Sequence, residues 1–343
     1  MRRVIRIGRI RMPLRPRILF WYPAMAIGIL LLFGVSVSIG EMPIPLGDVA
    51  AVLLGGGAEA DRFIVTDLRL PRALVALGAG LALGVSGALL QNITRNPLAS
   101  PDVIGILSGA SAGAVAAIVL GATTAIAGGA TAFAVLGGLA AAAAVFLLSG
   151  RDDAGGMRLI LVGIGVTAIS AAVTSLLLVS ARVHEAAQAV VWLTGTLDGR
   201  TWTHAGPLLI AVVVVVPLLA PLLHPLSALA LGDDLARSLG VRTSVVRTLG
   251  LAAATVLAAA AVAAAGPIAF IAFVAPQIVM RVIASPTPPV IGGGLGGALL
   301  LLATDAATRT LLPIPLPVGI VTVALGAPLF LVILRGRRRR LTV

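Results

Sequence analysis

The side chains able to do chemistry in this chain are of few types. Its 343 residues hold 25 basic side chains, all arginine, with 13 acidic residues, three histidines and no cysteine. Without lysine there is no GxxxxGK[ST] loop to cradle ATP phosphates. Without cysteine there is no disulfide framework, thiolate metal site or Cys nucleophile. His184, His204 and His224 are too scattered for a His-rich metal site, and no Ser/His/Asp set is convincingly spaced. What remains is charge and hydrogen-bond chemistry at a handful of points. Arg69 and Arg72 stand three apart, and Arg309 follows Asp305 by four. Arginine suits recognition of carboxylates, because its planar fork binds them bidentately and stays charged. Interfacial snorkelling, or pairing of Arg69 with Asp67 and of Arg309 with Asp305, would use the same residues without any partner.

Three further segments are polar or stiff. In LGDDLARSLGV, running from Leu231 to Val241, Asp233 and Asp234 suit the positive end of a short helix and the capping of its free N–H groups. Leu235, Ala236 and Leu239 offer a small apolar face and Gly240 ends the helix, although an ordinary solvated helix would look similar. In Asn96-Pro97-Leu98, the proline lacks an N–H and holds Asn96 extended, so the chain makes a stiff turn. In GPIAFIAFVAPQIVMR, running from Gly266 to Arg281, Gln277 donates and accepts hydrogen bonds but does not titrate.

The elements that position these residues are membrane spans. Of the residues 59% are hydrophobic and 11% charged, against about a quarter charged in a soluble domain. Only a bilayer absorbs that excess, and the 40 glycines suit close helix approach within it. Apolar runs of spanning length fall at 18–40, 70–91, 102–120, 125–149, 158–181, 204–223, 245–265, 267–284, 290–311 and 316–334. The seventh and eighth meet at Gly266-Pro267, where Gly-Pro punctuation and the combined length favour two helices over one kinked one. The chain therefore reads as an all-α polytopic membrane protein of about ten transmembrane helices. A basic N-terminal tail (1–17) and a basic C-terminal tail (335–343) flank a ten-helix transmembrane domain (18–334) that carries a cytoplasmic loop at 225–244. With both termini inside, 19 arginines lie on the cytoplasmic side and six outside, as the positive-inside rule requires. The first span reads as uncleaved, since no small-x-small site comes after it. Between Glu41 and Asp67, Pro43 and Pro45 precede LGDVAAVLLGGG, an amphipathic helix on the outer face ended by Gly55 to Gly57.

Function classes narrow accordingly. The net charge of +12 comes with only 3% aromatic residues, which speaks against nucleic-acid binding because few rings are present to stack on bases. Asp305 alone among the carboxylates falls in or near a span, whereas ion-coupled carriers use ionisable or broken-helix sites at membrane depth. Energy is thus expected from a partner.

Three segments together resemble the FecCD-type permeases of type II ABC importers, which carry iron–siderophore complexes, haem and vitamin B12. They are RLPRALVALGAGLALGVSGALLQNITRNPLASPDVIGILSGA (Arg69 to Ala110), the LGDDLARSLGV loop and the GPIAFIAFVAPQIVMR segment, in matching order and spacing. The resemblance runs from Pro43 to Leu334 and implies a ten-helix subunit of the type II importer fold. It also implies a second permease subunit, two cytoplasmic ATPase subunits that bind ATP and Mg, and an extracytoplasmic binding protein. No cofactor, metal or catalytic residue is implied in this chain.

By the same resemblance, Leu231, Gly232, Asp233, Asp234, Leu235, Ala236, Leu239 and Gly240 would fit a cleft on the ATPase. Arg69, Arg72 and Arg309 would receive glutamates of the binding protein, while Asn96, Pro97 and Leu98, with Gly156 and Met157 from RDDAGGMR, would close the inner end of the path. Gly266, Pro267, Phe270, Pro276, Gln277 and Arg281 carry the family motif of the eighth span. There the family often has Pro-His where this chain has Pro276-Gln277, which removes a protonation role. The NITRNPLASPDVIG and WLTGTLDGRTW wording is most similar to the ferric catecholate siderophore branch, whose permeases commonly pair as two different chains. A haem or cobalamin permease is the near alternative. An ion-coupled carrier and a non-transporting scaffold lie further off.

Overall fold

The structure, a computed structural model, describes residues 4–7, 10–13, 16–40, 42–122, 128–150, 157–311 and 316–338. A two-stranded antiparallel ribbon, β1 (Val4–Ile7) and β2 (Ile10–Pro13), lies in the N-terminal tail, where the sequence suggested only basic charge. Every described residue after it is in a helix or in connecting chain. The helices are α1 (Pro16–Ser38), α2 (Leu46–Leu53), α3 (Glu59–Phe63), α4 (Leu70–Thr94), α5 (Ile106–Val119), α6 (Gly129–Ser149), α7 (Met157–Ser180) and α8 (Val183–Leu193). They continue with α9 (Trp202–Leu218), α10 (Leu223–Leu229), α11 (Asp233–Ser238), α12 (Thr243–Ala265), α13 (Ile271–Val282), α14 (Val290–Thr310) and α15 (Val318–Arg338).

All ten expected spans have a helix. Among the described residues six helices are long and apolar enough to cross a membrane, and Trp202–Leu218 with Ala220–Leu229, bent by 42°, makes a seventh when the pair is read as one span. The bend falls where Pro217 ends α9 and Pro221 sits in a 3-10 turn, each removing a backbone donor. The remaining three, α5, α13 and the Val318–Leu329 part of α15, are shorter. At 12 residues α13 is only about 18 Å long, so the eighth span begins as the non-helical segment Gly266 to Phe270 rather than as helix at 267. Such backbone survives at membrane depth only when protein surrounds it, and Ile268 and Ala265 are fully buried. The seventh and eighth spans are accordingly two helices. A helix the sequence did not suggest, α8, comes after the fifth span; its first turn is fixed by the Arg182 N–H donating to Glu185 Oε2 at 2.9 Å.

The centre of the bundle is α4, which packs on α14, α12, α9 and α13. Small residues make that position available. Gly80 and Gly84 of α4 face Gly297 and Gly293 of α14, and a Cβ at any of them would strike backbone of the other helix. Close backbone approach is how membrane helices gain packing where water supplies no drive between them.

Candidate functional site

Polar side chains gather at the two ends of α4. At its first turn, the chain from Glu59 to Thr94 is one continuous helix interrupted by a π turn, Ile64–Arg69. A π turn inserts an extra residue and rotates the helix beyond it, and here Val65 and Arg69 both face inward. Arg69 is 8% exposed. It donates from Nη1 to the carbonyls of Val37 (3.1 Å) and Ser38 (2.7 Å), and from Nη2 to Met42 O. The Asp67 carboxylate instead accepts from Thr66 Oγ1 at 2.9 Å. Gly40 supplies the room, since a Cβ there would stand 2.7 Å from Arg69 Nη2. The residue thus braces the α1–α2 connection, with both terminal nitrogens engaged by main chain rather than open to a visiting glutamate at the mouth where the sequence placed it.

Arg72 and Arg309 share Asp305, which is fully buried. Arg72 donates to Asp305 Oδ1 from Nε (3.0 Å) and Nη2 (2.8 Å). Arg309 Nη2 lies 3.5 Å from Asp305 Oδ2 and donates to Ser36 O at 2.7 Å, while its Nη1 reaches Ile39 O at 3.0 Å. Ser36 Oγ completes the group on Asp305 Oδ2 at 3.3 Å. Arg72 Nη1 turns the other way and pairs with Asp198, in the connection between α8 and α9. This cluster ties α1, α4, α14 and the 194–201 segment together. The sequence pointed to Asp305 with Arg309 by their spacing, whereas Asp198, Ser36 and the sharing of one carboxylate had no local signal.

At the far end of α4, Arg95 takes a left-handed conformation (φ 52°) and ends the helix. It pairs with Asp233, which Arg247 of α12 also holds at 2.8 and 3.0 Å. Burial, and after it the neighbouring Arg247 charge, lower the Arg95 pKa from its ordinary value. The expectation that Asp233 and Asp234 cap α11 is corrected here. The N-cap is Gly232 (φ 105°) and no side chain caps the helix, because Asp233 is drawn to the two guanidiniums. Asp234 points to solvent, 3.7 Å from Arg237. Gly240 (φ 82°) ends α11 in a Schellman motif, with N–H bonds from Gly240 to Arg237 O and from Val241 to Ala236 O. Leu231, Leu235 and Leu239, spaced by four, are 60%, 50% and 62% exposed. Ala236 is fully buried and belongs to the opposite side, so the apolar face is a leucine stripe without it.

Close by, Asn96 Oδ1 accepts the Leu98 N–H at 2.9 Å and Asn96 O the Ala99 N–H at 3.1 Å, forming the turn that Pro97 stiffens. Met157 is the first residue of α7, and Gly156 lies outside the described residues. In α13, Gln277 Nε2 donates to Gln91 Oε1 at 2.8 Å and Gln91 Nε2 to Phe273 O at 3.1 Å. Gln277 Oε1 is buried with no hydrogen-bond partner among the described residues. A cavity of about 200 Å³ adjoins it, lined by Gln91, Asn92, Arg95, Gln277 and Met280 among others. Arg281 Nη1 donates to Gln277 O at 2.8 Å. Gly266 (φ 76°) and Pro267 cross Gly195, whose carbonyl accepts the Gly319 N–H at 2.9 Å. Phe270 (φ 68°) begins α13 against Gly326 of α15. Among the described residues no group of His, Asp and Glu side chains is arranged to hold a metal ion.

Ten apolar helical segments, with a buried charge cluster at one end of α4 and an exposed leucine stripe near the other, describe a multi-pass membrane protein. The chain belongs to the FecCD transport family, which matches residues 28–336. It is 41% identical over 302 residues to the ferric enterobactin transport system permease protein FepG of Escherichia coli, covering 88% of this chain and 91% of that one. The achromobactin transport system permease protein CbrC of Dickeya dadantii is 38% identical over 308 residues, covering 88% of this chain and 87% of CbrC. The cobalamin import system permease protein BtuC of Halobacterium salinarum is likewise 38% identical, over 311 residues, covering 89% of this chain and 83% of BtuC. A solved structure of a metal-chelate type ABC transporter in an inward-facing conformation superposes with a TM-score of 0.82 at 27% identity, covering 94% of this chain and 99% of that chain.

Proposed function

We propose that this chain is the permease subunit of an ATP-binding-cassette importer that moves a ferric siderophore of the catecholate type across a bacterial cytoplasmic membrane, with both termini inside. The observation that carries this reading is the 41% identity to the ferric enterobactin permease along 88% of the chain. In this reading the Arg95 end of α4 is cytoplasmic, in keeping with the arginine bias of the sequence. The leucine stripe of α11 enters a cleft on an ATPase subunit that binds ATP and Mg. Asp233 carries the resulting motion to α4 through Arg95 and to α12 through Arg247. The turn at Asn96, Pro97 and Leu98, with Gly156 and Met157, closes the inner end of the path.

At the opposite face a soluble binding protein delivers the siderophore, and Arg72 receives its carboxylate while Arg69 and Arg309 hold the socket's shape. The exposed apolar residues Leu161, Ile164, Ile169 and Leu176 of α7 line the path and meet a second, homologous permease chain. The test is ATP hydrolysis by the complex, reconstituted with its sister permease and ATPase subunits, on addition of binding proteins loaded with ferric siderophore, haem or cobalamin. Stimulation by a ferric siderophore carrier supports the reading, and stimulation only by a haem or cobalamin carrier moves the substrate while keeping the class. Solute uptake by the lone chain down an ion gradient would replace an importer subunit with a carrier.

A further inference from the structure

Arg69, Arg72 and Arg309 differ in what an incoming carboxylate would have to displace. Arg69 is taken up by main-chain carbonyls, and Arg309 by two carbonyls and Ser36. Backbone carbonyls of a packed segment do not move aside cheaply, since each would be left without its donor. Arg72 divides its donors, with Nε and Nη2 directed inward to Asp305 and Nη1 directed outward to Asp198. Exchange of Asp305 would strand a buried carboxylate together with the groups braced on it. Asp198 is different. Its side chain is 59% exposed, and ion pairs that water reaches contribute little net stability. A second cation, Arg200, stands two residues along in the same segment, its Nε donating to Thr196 O at 3.0 Å. Burial lowers the Arg200 pKa, and the Asp198 charge is what opposes that shift.

We propose that Asp198 is a resident stand-in for the docking partner's carboxylate. When an acidic side chain of the binding protein arrives, it exchanges with Asp198 on Arg72 Nη1, and the released Asp198 turns to Arg200. The inference rests on the docking reading above and adds the residue that tunes it. It also gives docking a route inward. Once Asp198 leaves Arg72, the 194–201 segment stays anchored by fully buried Leu197 and by the Gly195 carbonyl bond to Gly319, where it crosses Gly266-Pro267 and the start of α15. A partner seated on Arg72 therefore frees only the Asp198 end of a segment whose anchored part touches both the entry to α13 and α15.

The experiment measures the affinity of the complete complex in nanodiscs for the binding protein that stimulates its hydrolysis in the assay above. It compares wild type, Asp198→Asn, Asp198→Glu, Arg72→Gln, Arg72→Lys and the Asp198→Asn/Arg72→Gln double variant. Exchange predicts roughly two- to five-fold tighter docking for Asp198→Asn, near wild-type docking for Asp198→Glu, and weaker docking for Arg72→Gln. It also predicts no tightening by Asp198→Asn once Arg72 is Gln. Tightening that persists in the double variant reports a general field effect and overturns the exchange. Unchanged or weaker docking of Asp198→Asn, beside weakened Arg72→Gln, overturns it too and leaves the docking reading standing. Unaltered docking by both Arg72→Gln and Arg72→Lys, or no binding protein that stimulates hydrolysis, removes the docking reading and the exchange with it.

Discussion

Arg72 and Arg95 stand at the two ends of one helix, α4, and each is ion-paired to an aspartate from a different connecting segment, Asp198 at one end and Asp233 at the other. At 1.5 Å per residue the two are roughly 35 Å apart, so a single rod spans the distance between the proposed docking and coupling faces. The rod is encased by α14, α12, α9 and α13, and displacement at either end has to be shared with those neighbours. A continuous helix clamped by charge at both tips offers a direct mechanical link between them.

The charge cluster sets the first prediction. Asp305 is the buried carboxylate that Arg72 and Arg309 share. Asp305→Ala leaves two guanidiniums facing each other in a closed site, which costs about 3–5 kcal/mol where a buried pair loses one partner. The purified complex should lose thermal stability by many degrees, and Asp305→Asn, which still accepts hydrogen bonds, by less. A melting temperature for Asp305→Ala equal to wild type would mean that the cluster contributes nothing to the fold.

The leucine stripe gives the second. Leu235→Asp and Leu239→Asp alter residues already half or more exposed, so the permease itself should keep its stability to within about 0.5 kcal/mol. Co-purification with the ATPase subunits should fall sharply. Ala236→Leu ought to show the reverse order, with the fold failing first, because its site is closed. Co-purification of Leu235→Asp at wild-type yield would detach the stripe from the coupling role.

Glycine contacts provide the third. A side chain at Gly84 meets the Gly293 carbonyl of α14, whereas one at Gly165 of α7 meets nothing within 4 Å. Gly84→Val should therefore abolish the folded protein and Gly165→Val should leave its yield close to wild type. Fluorescence-detected gel filtration of the two variants checks this, and equal profiles would show that α4 and α14 do not pack through their glycines.

How much of this could be read from residues alone depends on whether the cause was local. The ten spans were legible because apolar runs and Gly-Pro breaks report directly on burial. The leucines of α11 were legible by their four-residue spacing, although Ala236 was placed on the wrong side of the helix. Arg69 was legible as an arginine at a helix entrance, but its inward aim depends on a π turn, and no composition signals one extra residue in a helix. Asp198 and Arg72 lie 126 positions apart, beyond any spacing rule. Helix α8 escaped because His184, Glu185 and Gln188 make VHEAAQAVVWL too polar for a span, and a short interfacial helix reads like a linker.

The last prediction concerns the motif position where the family often has histidine. Gln277 is 1% exposed, and its amide nitrogen is spent on Gln91 Oε1. Gln277→Leu would leave Gln91 Oε1 buried and unpaired, a loss of about 1–3 kcal/mol. Replacing both, Gln91→Leu with Gln277→Leu, removes the stranded acceptor and should recover part of that stability, so the pair should be non-additive in a double-mutant cycle. Gln277→His keeps a ring N–H for Gln91 and should support transport. Thermal melts of wild type, both single variants and the double variant read the cycle, and strictly additive losses would mean that the two amides do not depend on each other.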